Sequence, residues 1–242
     1  MSEILLQLSD LAIRSATRML VEGVNIEVRS GAVTALMGPS GSGKTLTARA
    51  VMGQLDPGLH LVSGSLKYPV LGDQDWFAGV SEGGNRAQAR LLKSSAGLRG
   101  SYMAYSPQLA SSALNPGRTL GRQLEIALSR RDEAPSDPAR AIREVLAEVG
   151  LDVSTAKALP AELSGGMCQR AALAVAVACQ PRLVIADEPE TGLDPVLTRG
   201  VTELLLQVCQ QRGCGLLLIS HQQETVDRIG AEVVYTRMEV GT

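Results

Sequence analysis

The sequence predicts an α/β fold with a mostly parallel sheet, and three observations lead to that prediction. Short apolar runs typical of buried strands occupy residues 33–37, 183–186 and 216–219. Segments with the length and periodicity of helices separate these runs, and strands that alternate with helices favour parallel pairing. A glycine-rich loop follows the first run directly and leads into a predicted helix over 45–52.

The other elements follow along the chain. Residues 4–8 and 24–28 alternate apolar and polar side chains, as half-buried strands do. Helices are predicted over 120–130, 138–149, 165–179 and 196–210. Residues 232–235 are predicted to add an edge strand. The stretch 69–97 contains five glycines and is predicted to form a loop or an irregular excursion.

The composition limits the class of protein. A chain of 242 residues with 45% hydrophobic residues can bury a sizeable core as one domain, with or without a sub-domain. The net charge of −2 gives no sign of the basic surface that nucleic-acid binding requires. No apolar run approaches the roughly 20 residues that span a bilayer, and the N-terminal residues lack a secretory signal pattern. We therefore expect a cytoplasmic protein whose four cysteines are reduced and without function.

Residues 38–45 satisfy the phosphate-loop pattern G-x-x-x-x-G-K-S/T between a predicted strand and a predicted helix. The eight residues are Gly38, Pro39, Ser40, Gly41, Ser42, Gly43, Lys44 and Thr45. Loop amides and the positive end of the helix dipole would cradle a β-phosphate, and Lys44 would reach the β- and γ-phosphate oxygens. The Thr45 hydroxyl would bind Mg²⁺. A chance glycine-rich turn is the alternative, and it has a probability of about 1% from residue frequencies.

Two adjacent acids, Asp187 and Glu188, end the apolar strand predicted at 183–186. Ligands of open α/β sheets gather at the carboxyl ends of strands, so both acids are candidates for the chemistry. Asp187 is predicted to bind Mg²⁺ directly or through water, and Glu188 to act as the base toward the attacking water. The alternative is a helix-capping pair before Pro189, which the presence of the phosphate loop disfavours.

A second anion-binding pattern lies at Leu163-Ser164-Gly165-Gly166, at the start of the helix predicted over 165–179. Ser164 is a favourable N-cap, and the two glycines leave the first amides of the helix open to an anion. A plain N-cap is the alternative from the spacing alone.

These three elements, in this order, resemble the ATP-binding subunit of an ABC transporter, whose signature L-S-G-G-x-x-Q-R matches residues 163–170. The resemblance implies a P-loop NTPase of the RecA-like type, with an N-terminal antiparallel β part and an inserted α-helical sub-domain. It implies one ABC ATPase domain over 1–242, with its core at 1–107 and 181–242 and the helical part at 108–180. Two subunits would pair head to tail, so that Ser164 and Gly166 contact the γ-phosphate held by Lys44 of the partner subunit.

The same resemblance assigns further roles. Gln108 matches the glutamine that links Mg²⁺ and water to the membrane partner, and His221 matches the histidine that contacts the γ-phosphate and Glu188. Taken alone, Gln108 would be an ordinary polar loop residue and His221 a structural histidine. Asp194 falls in the loop that crosses to the opposite subunit. The implied catalytic residues are therefore Glu188, His221 and Gln108, and the implied metal ligands are Thr45, Gln108 and Asp187.

The implied cofactors are ATP and Mg²⁺. The residues expected at ATP are Gly38, Pro39, Ser40, Gly41, Ser42, Gly43, Lys44, Thr45, Leu163, Ser164, Gly165, Gly166, Gln169 and Asp194. Residues 112–116, together with Met167 in the signature, are similar to the nickel, dipeptide and oligopeptide importer branch. That similarity implies an ATPase that powers uptake of nickel, a metal chelate or a peptide. The implied partners are a second ABC ATPase, either a paralogue or itself, two permeases and an extracytoplasmic solute-binding protein, at the cytoplasmic face of the inner membrane.

A second hypothesis is a soluble ABC ATPase that acts on nucleic acid or ribosomes. Such proteins carry long coiled-coil insertions or two ATPase domains, with basic patches, and the sequence contains none of these features. A GTPase would need a guanine-reading N-K-x-D element, which is also absent from the sequence.

Overall fold

The computed structural model of the protein describes residues 2–108, 110–189 and 195–236, and the fold separates into two compact units. Residues 1–99 and 215–242 form the first unit, and residues 100–214 form the second. The strands are β1 Ile4–Arg14, β2 Met19–Arg29, β3 Val33–Met37, β4 His60–Lys67, β5 Met103–Ser106, β6 Leu183–Asp187, β7 Gly215–Ile219 and β8 Glu232–Tyr235. The helices are α1 Lys44–Val51, α2 Val80–Ser94, α3 Ala110–Ala113, α4 Leu120–Leu128, α5 Pro138–Glu148, α6 Gly165–Ala178, α7 Pro195–Arg212 and α8 Gln223–Ile229.

The first unit contains an antiparallel sheet and a parallel one. In the antiparallel sheet β1 lies between β2 and β4, and it buries Leu5, Leu6, Leu8 and residues 11–13. In the parallel sheet β3 lies between β7 and β8, with Val33 opposite Leu216 and Met37 opposite Tyr235. Since the three strands run in one direction, their carboxyl ends share one edge of the sheet. That edge carries the phosphate loop after β3 and His221 after β7.

The second unit combines a parallel strand pair with helices. Strand β5 pairs with β6 from Met103 opposite Leu183 to Ser106 opposite Ala186. All five residues of β6 are buried, so this strand is apolar on both faces until it reaches its terminal aspartate. Helix α6 packs against α3, α4, α5 and α7 and forms the centre of the helical part.

The predicted loop over 69–97 is wrong, because most of this stretch is helix α2 between short 3₁₀ segments. The helix buries Val80, Ala87 and Leu91 against β4, a strand that sequence analysis did not predict. Gly84 has non-helical dihedral angles, φ 54° and ψ −146°, so α2 consists of two helical segments joined at a kink. Gly84 therefore interrupts the helical geometry, while helix forms on both sides of it and buries apolar side chains. Strand β5 was also missed.

The predicted α/β class, its parallel strands and its N-terminal antiparallel part are confirmed. Predicted elements elsewhere differ from the observed ones mainly at their ends; the strand predicted at 4–8, for example, extends to Arg14. The division into a core at 1–107 and 181–242 and a helical part at 108–180 stays a prediction. Within the described ranges, no helix is long and apolar enough to span a membrane.

A partly buried ion pair connects three helices of the second unit. Arg212 on α7 donates from Nε and Nη2 to the two carboxylate oxygens of Glu148 on α5, at 2.8 and 2.5 Å. Its Nη1 donates to the carbonyl oxygen of Val177 on α6 at 2.8 Å. The hydrogen bonds to Glu148 raise the pKa of Arg212, so its guanidinium stays charged. Bidentate geometry and low exposure make this pair stronger than a surface pair.

We expect Arg212→Ala to lower the free energy of unfolding by about 3 kcal/mol, because it leaves the Glu148 carboxylate partly buried without its partner. Urea unfolding followed by circular dichroism measures this loss. The matched control is Arg140→Ala, which removes the exposed pair between Arg140 and Glu144 on α5 and should leave the free energy of unfolding almost unchanged. Equal losses in the two variants would contradict the assignment of Arg212 as a structural link.

Candidate nucleotide-binding and hydrolysis site

The phosphate loop joins β3 to α1, and the helix begins at Lys44. The Lys44 ammonium group donates to the carbonyl oxygens of Gly38 and Pro39 at 2.9 and 3.0 Å, and the residue is only 5% exposed. Thr47 closes the first helical turn by donating its hydroxyl and its amide to the carbonyl oxygen of Gly43, at 3.0 and 2.8 Å. A buried positive charge and the positive end of a helix therefore lie on the same short loop.

Two glycines of the loop have no room for a side chain. A Cβ on Gly38 would lie 2.2 Å from Oγ1 of Thr236, and one on Gly43 would lie 2.4 Å from Cγ2 of Val21. Gly43 also has φ 86°, in the left-handed region that favours glycine, and Leu20 O lies 2.6 Å from the same Cβ position. Strand β2 and Thr236, the first residue after β8, thus pack closely against the loop backbone at these two glycines. This cradle fits an anion that is bound by backbone amides.

His221 lies at the same sheet edge as the phosphate loop, because β7 pairs with β3 in parallel. The preceding Ser220 is fully buried and donates its amide to the carbonyl oxygen of Leu36 at 3.3 Å. Its Oγ accepts from the amide of Gln222 at 3.0 Å, which holds the turn that presents His221. The exposed imidazole therefore stands on a short, fixed turn beside the loop.

In the second unit, Asp187 ends β6 and is 2% exposed. The Tyr105 hydroxyl on the neighbouring strand β5 donates to Oδ2 of Asp187 at 2.9 Å. A donor to a buried carboxylate both orients it and stabilises its charged form. Asp187 is therefore held in a defined direction at the carboxyl end of its strand. The charged oxygen chemistry of this side chain fits Mg²⁺, which prefers carboxylate and water ligands.

Glu188 follows at once and accepts a hydrogen bond on Oε2 from Nε2 of Gln108 at 2.9 Å. The two residues are separated by 80 positions in the sequence, and the parallel pairing of β5 with β6 brings the ends of their strands together. Glu188 has φ 43°, an uncommon conformation for a residue with a side chain. Strained backbone of this kind clusters at functional sites. Glu188, the predicted base, and Gln108, a predicted metal ligand, are thus hydrogen-bonded to each other.

The signature sequence forms the start of α6 as predicted. Ser164 has extended dihedral angles and accepts on Oγ from the amide of Met167 at 3.3 Å, which is the geometry of an N-cap. A Cβ on Gly165 would meet no atom within 4 Å, so the helix end is open at this position. Gln169 donates from Nε2 to the carbonyl oxygen of Pro189 at 3.4 Å, directly after Glu188. The signature helix is therefore hydrogen-bonded to the segment that carries the predicted base.

Other side chains of the signature have structural contacts. Arg170 donates from Nη1 to the carbonyl oxygens of Val149 and Gly150 at the end of α5, both at 3.4 Å. Cys168 donates from Sγ to the carbonyl oxygen of Pro160 at 3.4 Å, and burial raises the pKa of its thiol. These contacts anchor α6 within the second unit.

Two polar residues at the strand ends were missed by sequence analysis, namely Tyr105 beside Asp187 and Thr236 beside Ser42. Tyr105 is 82 positions from Asp187 in the sequence, and Thr236 is 194 positions from Ser42. No local sequence motif indicates either contact. The predicted residue Asp194 lies outside the described residues.

A phosphate loop between a strand and a helix, with acids at a strand end, defines the class of P-loop nucleotide hydrolases. Within that class, the sequence pattern of the family described as ABC transporter matches residues 21–191. The chain belongs to the ABC transporter family and carries its ATPase domain.

Curated relatives agree with this family. The chain is 36% identical over 220 residues to the nickel import ATP-binding protein NikD of Rhodospirillum rubrum, covering 89% of this chain and 76% of that protein. It is 32% identical over 213 residues to the oligopeptide transport ATP-binding protein OppD of Lactococcus lactis subsp. cremoris, covering 87% of this chain but only 59% of that protein.

Solved structures share the fold. A structure described as the ATP-binding subunit of an ABC transporter superimposes with a TM-score of 0.71 at 25% identity, covering 96% of this chain and 86% of the other. The dimeric post-hydrolysis structure of the ATP-binding cassette MJ0796, bound to ADP and Pi, also gives 0.71, covering 96% of this chain and 94% of that one. At 21% identity this second likeness shows the fold alone.

Proposed function

We propose that this chain is the ATP-hydrolysing subunit of an ABC importer that powers uptake of nickel, a metal chelate or a peptide. The observation that carries the proposal is the intact phosphate loop with its buried Lys44, in a chain 36% identical to a nickel import ATP-binding protein. The similarity to OppD supports peptides as the other class of solute. The subunit would act at the cytoplasmic face of the inner membrane, with two permeases and an extracytoplasmic solute-binding protein.

The loop from Gly38 to Thr45 would bind the phosphates of ATP. Loop amides and the start of α1 favour an anion, and Lys44 would exchange its carbonyl partners for β- and γ-phosphate oxygens. Protein atoms pack against the loop backbone at Gly38 and Gly43, whereas the Cβ position of Gly41 has no atom within 4 Å, which supports binding through amides on that open side.

The acids would carry out the hydrolytic step. Glu188 would accept a proton from, or orient, the attacking water, while Gln108 holds its carboxylate at 2.9 Å. Asp187, Gln108 and Thr45 would hold Mg²⁺, which supplies charge neutralisation at the phosphates when it is bound. His221 would contact the γ-phosphate from its turn at the end of β7.

The signature would serve a second nucleotide. The open N-terminus of α6 can bind an anion with Leu163, Ser164, Gly165 and Gly166, and we propose that this anion is the γ-phosphate of ATP on the partner subunit. Gln169 and Asp194 would complete that contact. A head-to-tail dimer, with itself or a paralogous ATPase, satisfies this arrangement, because nucleotide then favours the closed state by its higher affinity for it.

Tyr105→Phe tests the role of Asp187 in metal binding. We expect the Mg²⁺ concentration for half-maximal ATPase activity to rise about tenfold, because the carboxylate loses the hydroxyl that orients it. Steady-state ATPase assays over a Mg²⁺ series at saturating ATP measure the shift. Tyr68→Phe is the matched control, since it removes a buried hydroxyl that donates to the carbonyl oxygen of Val51 instead. An unchanged Mg²⁺ requirement in Tyr105→Phe would refute the proposed orientation of Asp187.

The proposed assembly is tested by purifying a tagged Glu188→Gln variant from its own cell membranes after trapping with Mg-ATP and gentle solubilisation. Recovery of two permeases and a second ATPase supports the importer, and the solute-binding protein can then be titrated with nickel, nickel chelates and peptides. Recovery of ribosomal proteins or nucleic acid without permeases would favour the soluble class of ABC ATPase.

A further inference from the structure

We infer that Thr236 is a positioning residue of the phosphate loop, whose hydroxyl holds the Ser42 side chain and so preforms the cradle for ATP. This inference rests on the proposed role of residues 38–45 in binding phosphate. Thr236 itself lies outside the loop and is the first residue after β8.

The contact between the two hydroxyl groups is short and buried. Oγ of Ser42 and Oγ1 of Thr236 lie 2.5 Å apart, and the residues are 2% and 4% exposed. Oγ1 of Thr236 also donates to the carbonyl oxygen of Met37 at 3.1 Å. The Thr236 amide donates to that same carbonyl at 2.8 Å, which extends the pairing of β8 with β3. Thr236 is therefore fixed at its backbone and at its side chain.

Either hydroxyl can be the donor in the contact between Ser42 and Thr236, because each carries one proton. In the arrangement in which Thr236 donates to the carbonyl oxygen of Met37, Ser42 donates to Thr236. The Ser42 hydroxyl is thus used within the protein, and we propose that Ser42 contributes to the cradle through the backbone shape that its side chain fixes.

The position of Thr236 also accounts for the glycine that opens the loop. A Cβ on Gly38 would lie 2.2 Å from Oγ1 of Thr236 and 2.8 Å from Oγ of Ser42. The hydroxyl pair thus occupies the space beside Gly38. The Ser42 amide donates to the carbonyl oxygen of Pro39 at 3.3 Å and closes a turn over residues 39–42. Gly38, just before this turn, and Ser42, at its end, both lie against Thr236. A loop held in this form before ATP arrives loses less conformational freedom on binding.

The Thr236→Val variant keeps the shape of the side chain and removes only the hydroxyl. We expect the Kd for ATP to rise about tenfold, because the buried Ser42 hydroxyl loses its acceptor and the loop is no longer preformed. The kcat should stay within about twofold of the wild type, because Thr236 does not touch the reacting atoms. Thr236→Ser restores a hydroxyl at this position and should bind ATP within about twofold of the wild type. Fluorescent-nucleotide titration gives Kd, and steady-state assays give kcat and KM.

Two controls separate positioning from stability. Thr34→Val removes another buried threonine hydroxyl of the first unit, which donates to the carbonyl oxygen of Glu27 at 2.7 Å, and should lower Tm without changing the Kd for ATP. Ser42→Ala breaks the same contact between hydroxyl groups by removing the hydroxyl of the loop residue. In that background, adding Thr236→Val should change the Kd by less than about twofold, because the two residues act through one bond.

The ATP affinities of Lys44→Ala and Thr236→Val test the phosphate cradle and the role of Thr236 separately. If Lys44→Ala binds ATP like the wild type, the cradle itself is wrong. If Lys44→Ala fails to bind ATP but Thr236→Val binds it normally, the inference on Thr236 alone is overturned. Equal impairment in Thr236→Ser and Thr236→Val, or fully additive effects of the Ser42 and Thr236 substitutions, would also overturn it.

Discussion

Glu188→Gln should lower the kcat for ATP hydrolysis by at least about 100-fold, the range expected when a general base is removed. The substitution keeps the size of the side chain and an oxygen that can accept from Nε2 of Gln108, so the local geometry should persist. The change removes only the carboxylate charge that would take a proton from water. ATP binding should therefore be retained, and a dimer should accumulate with ATP bound.

Single-turnover hydrolysis and size-exclusion chromatography with Mg-ATP measure these two effects. Glu144→Gln is the control, because it makes the same chemical change at an exposed carboxylate on α5. Its hydrolysis rate should match that of the wild type. If Glu188→Gln hydrolyses ATP within threefold of the wild-type rate, Glu188 is not the base, and the acids at the end of β6 would serve only to bind metal.

Gly43→Ala should lower ATP affinity by at least about 100-fold, because a backbone shift of the phosphate loop breaks several amide contacts at once. The added Cβ would lie 2.4 Å from Cγ2 of Val21 and 2.6 Å from the carbonyl oxygen of Leu20. The left-handed φ of 86° adds about 1 kcal/mol of strain for alanine. Neither neighbour can move freely, because Leu20 and Val21 belong to strand β2 and the contacting oxygen of Leu20 is a main-chain carbonyl oxygen. The loop must therefore change shape.

Isothermal titration with ATP and urea unfolding measure the affinity and the stability of this variant. Gly58→Ala is the matched control, since Gly58 has φ 84° but no atom within 4 Å of its Cβ position. This control should lose about 1 kcal/mol of stability and bind ATP normally. Normal ATP binding by Gly43→Ala would show that the loop tolerates a side chain at this position and would contradict the proposed cradle.

Sequence analysis predicted the local structure correctly where a pattern involves residues that are adjacent in the chain. The phosphate loop from Gly38 to Thr45, the Ser164 N-cap and the acids at the end of β6 are local patterns whose geometry follows from backbone conformation and short-range hydrogen bonds. The alternation of apolar runs with helices likewise identified the α/β class. The family assignment followed from the order of these motifs and is confirmed by the match over residues 21–191.

It failed where apolar packing forms helix on both sides of a glycine. Helix α2 is interrupted at Gly84, whose dihedral angles are non-helical, yet α2 buries Val80, Ala87 and Leu91 and contacts β4. Burial of apolar side chains stabilises the two helical segments although glycine is unfavourable in a helix by about 1 kcal/mol. Glycine content alone did not predict these segments, because the contact is made by β4, a strand that sequence analysis did not predict.

The chain alone therefore led to a prediction of which side chains handle phosphate, metal and water, because such roles depend on residue chemistry and on spacing within short segments. Only the tertiary structure decided how they are held. The register of β8 on β3 brings Thr236 to Ser42, and the pairing of β5 with β6 brings Tyr105 to Asp187 and Gln108 to Glu188. These partners are separated by 80 to 194 positions, and strand pairing at that separation leaves no periodic trace in the sequence.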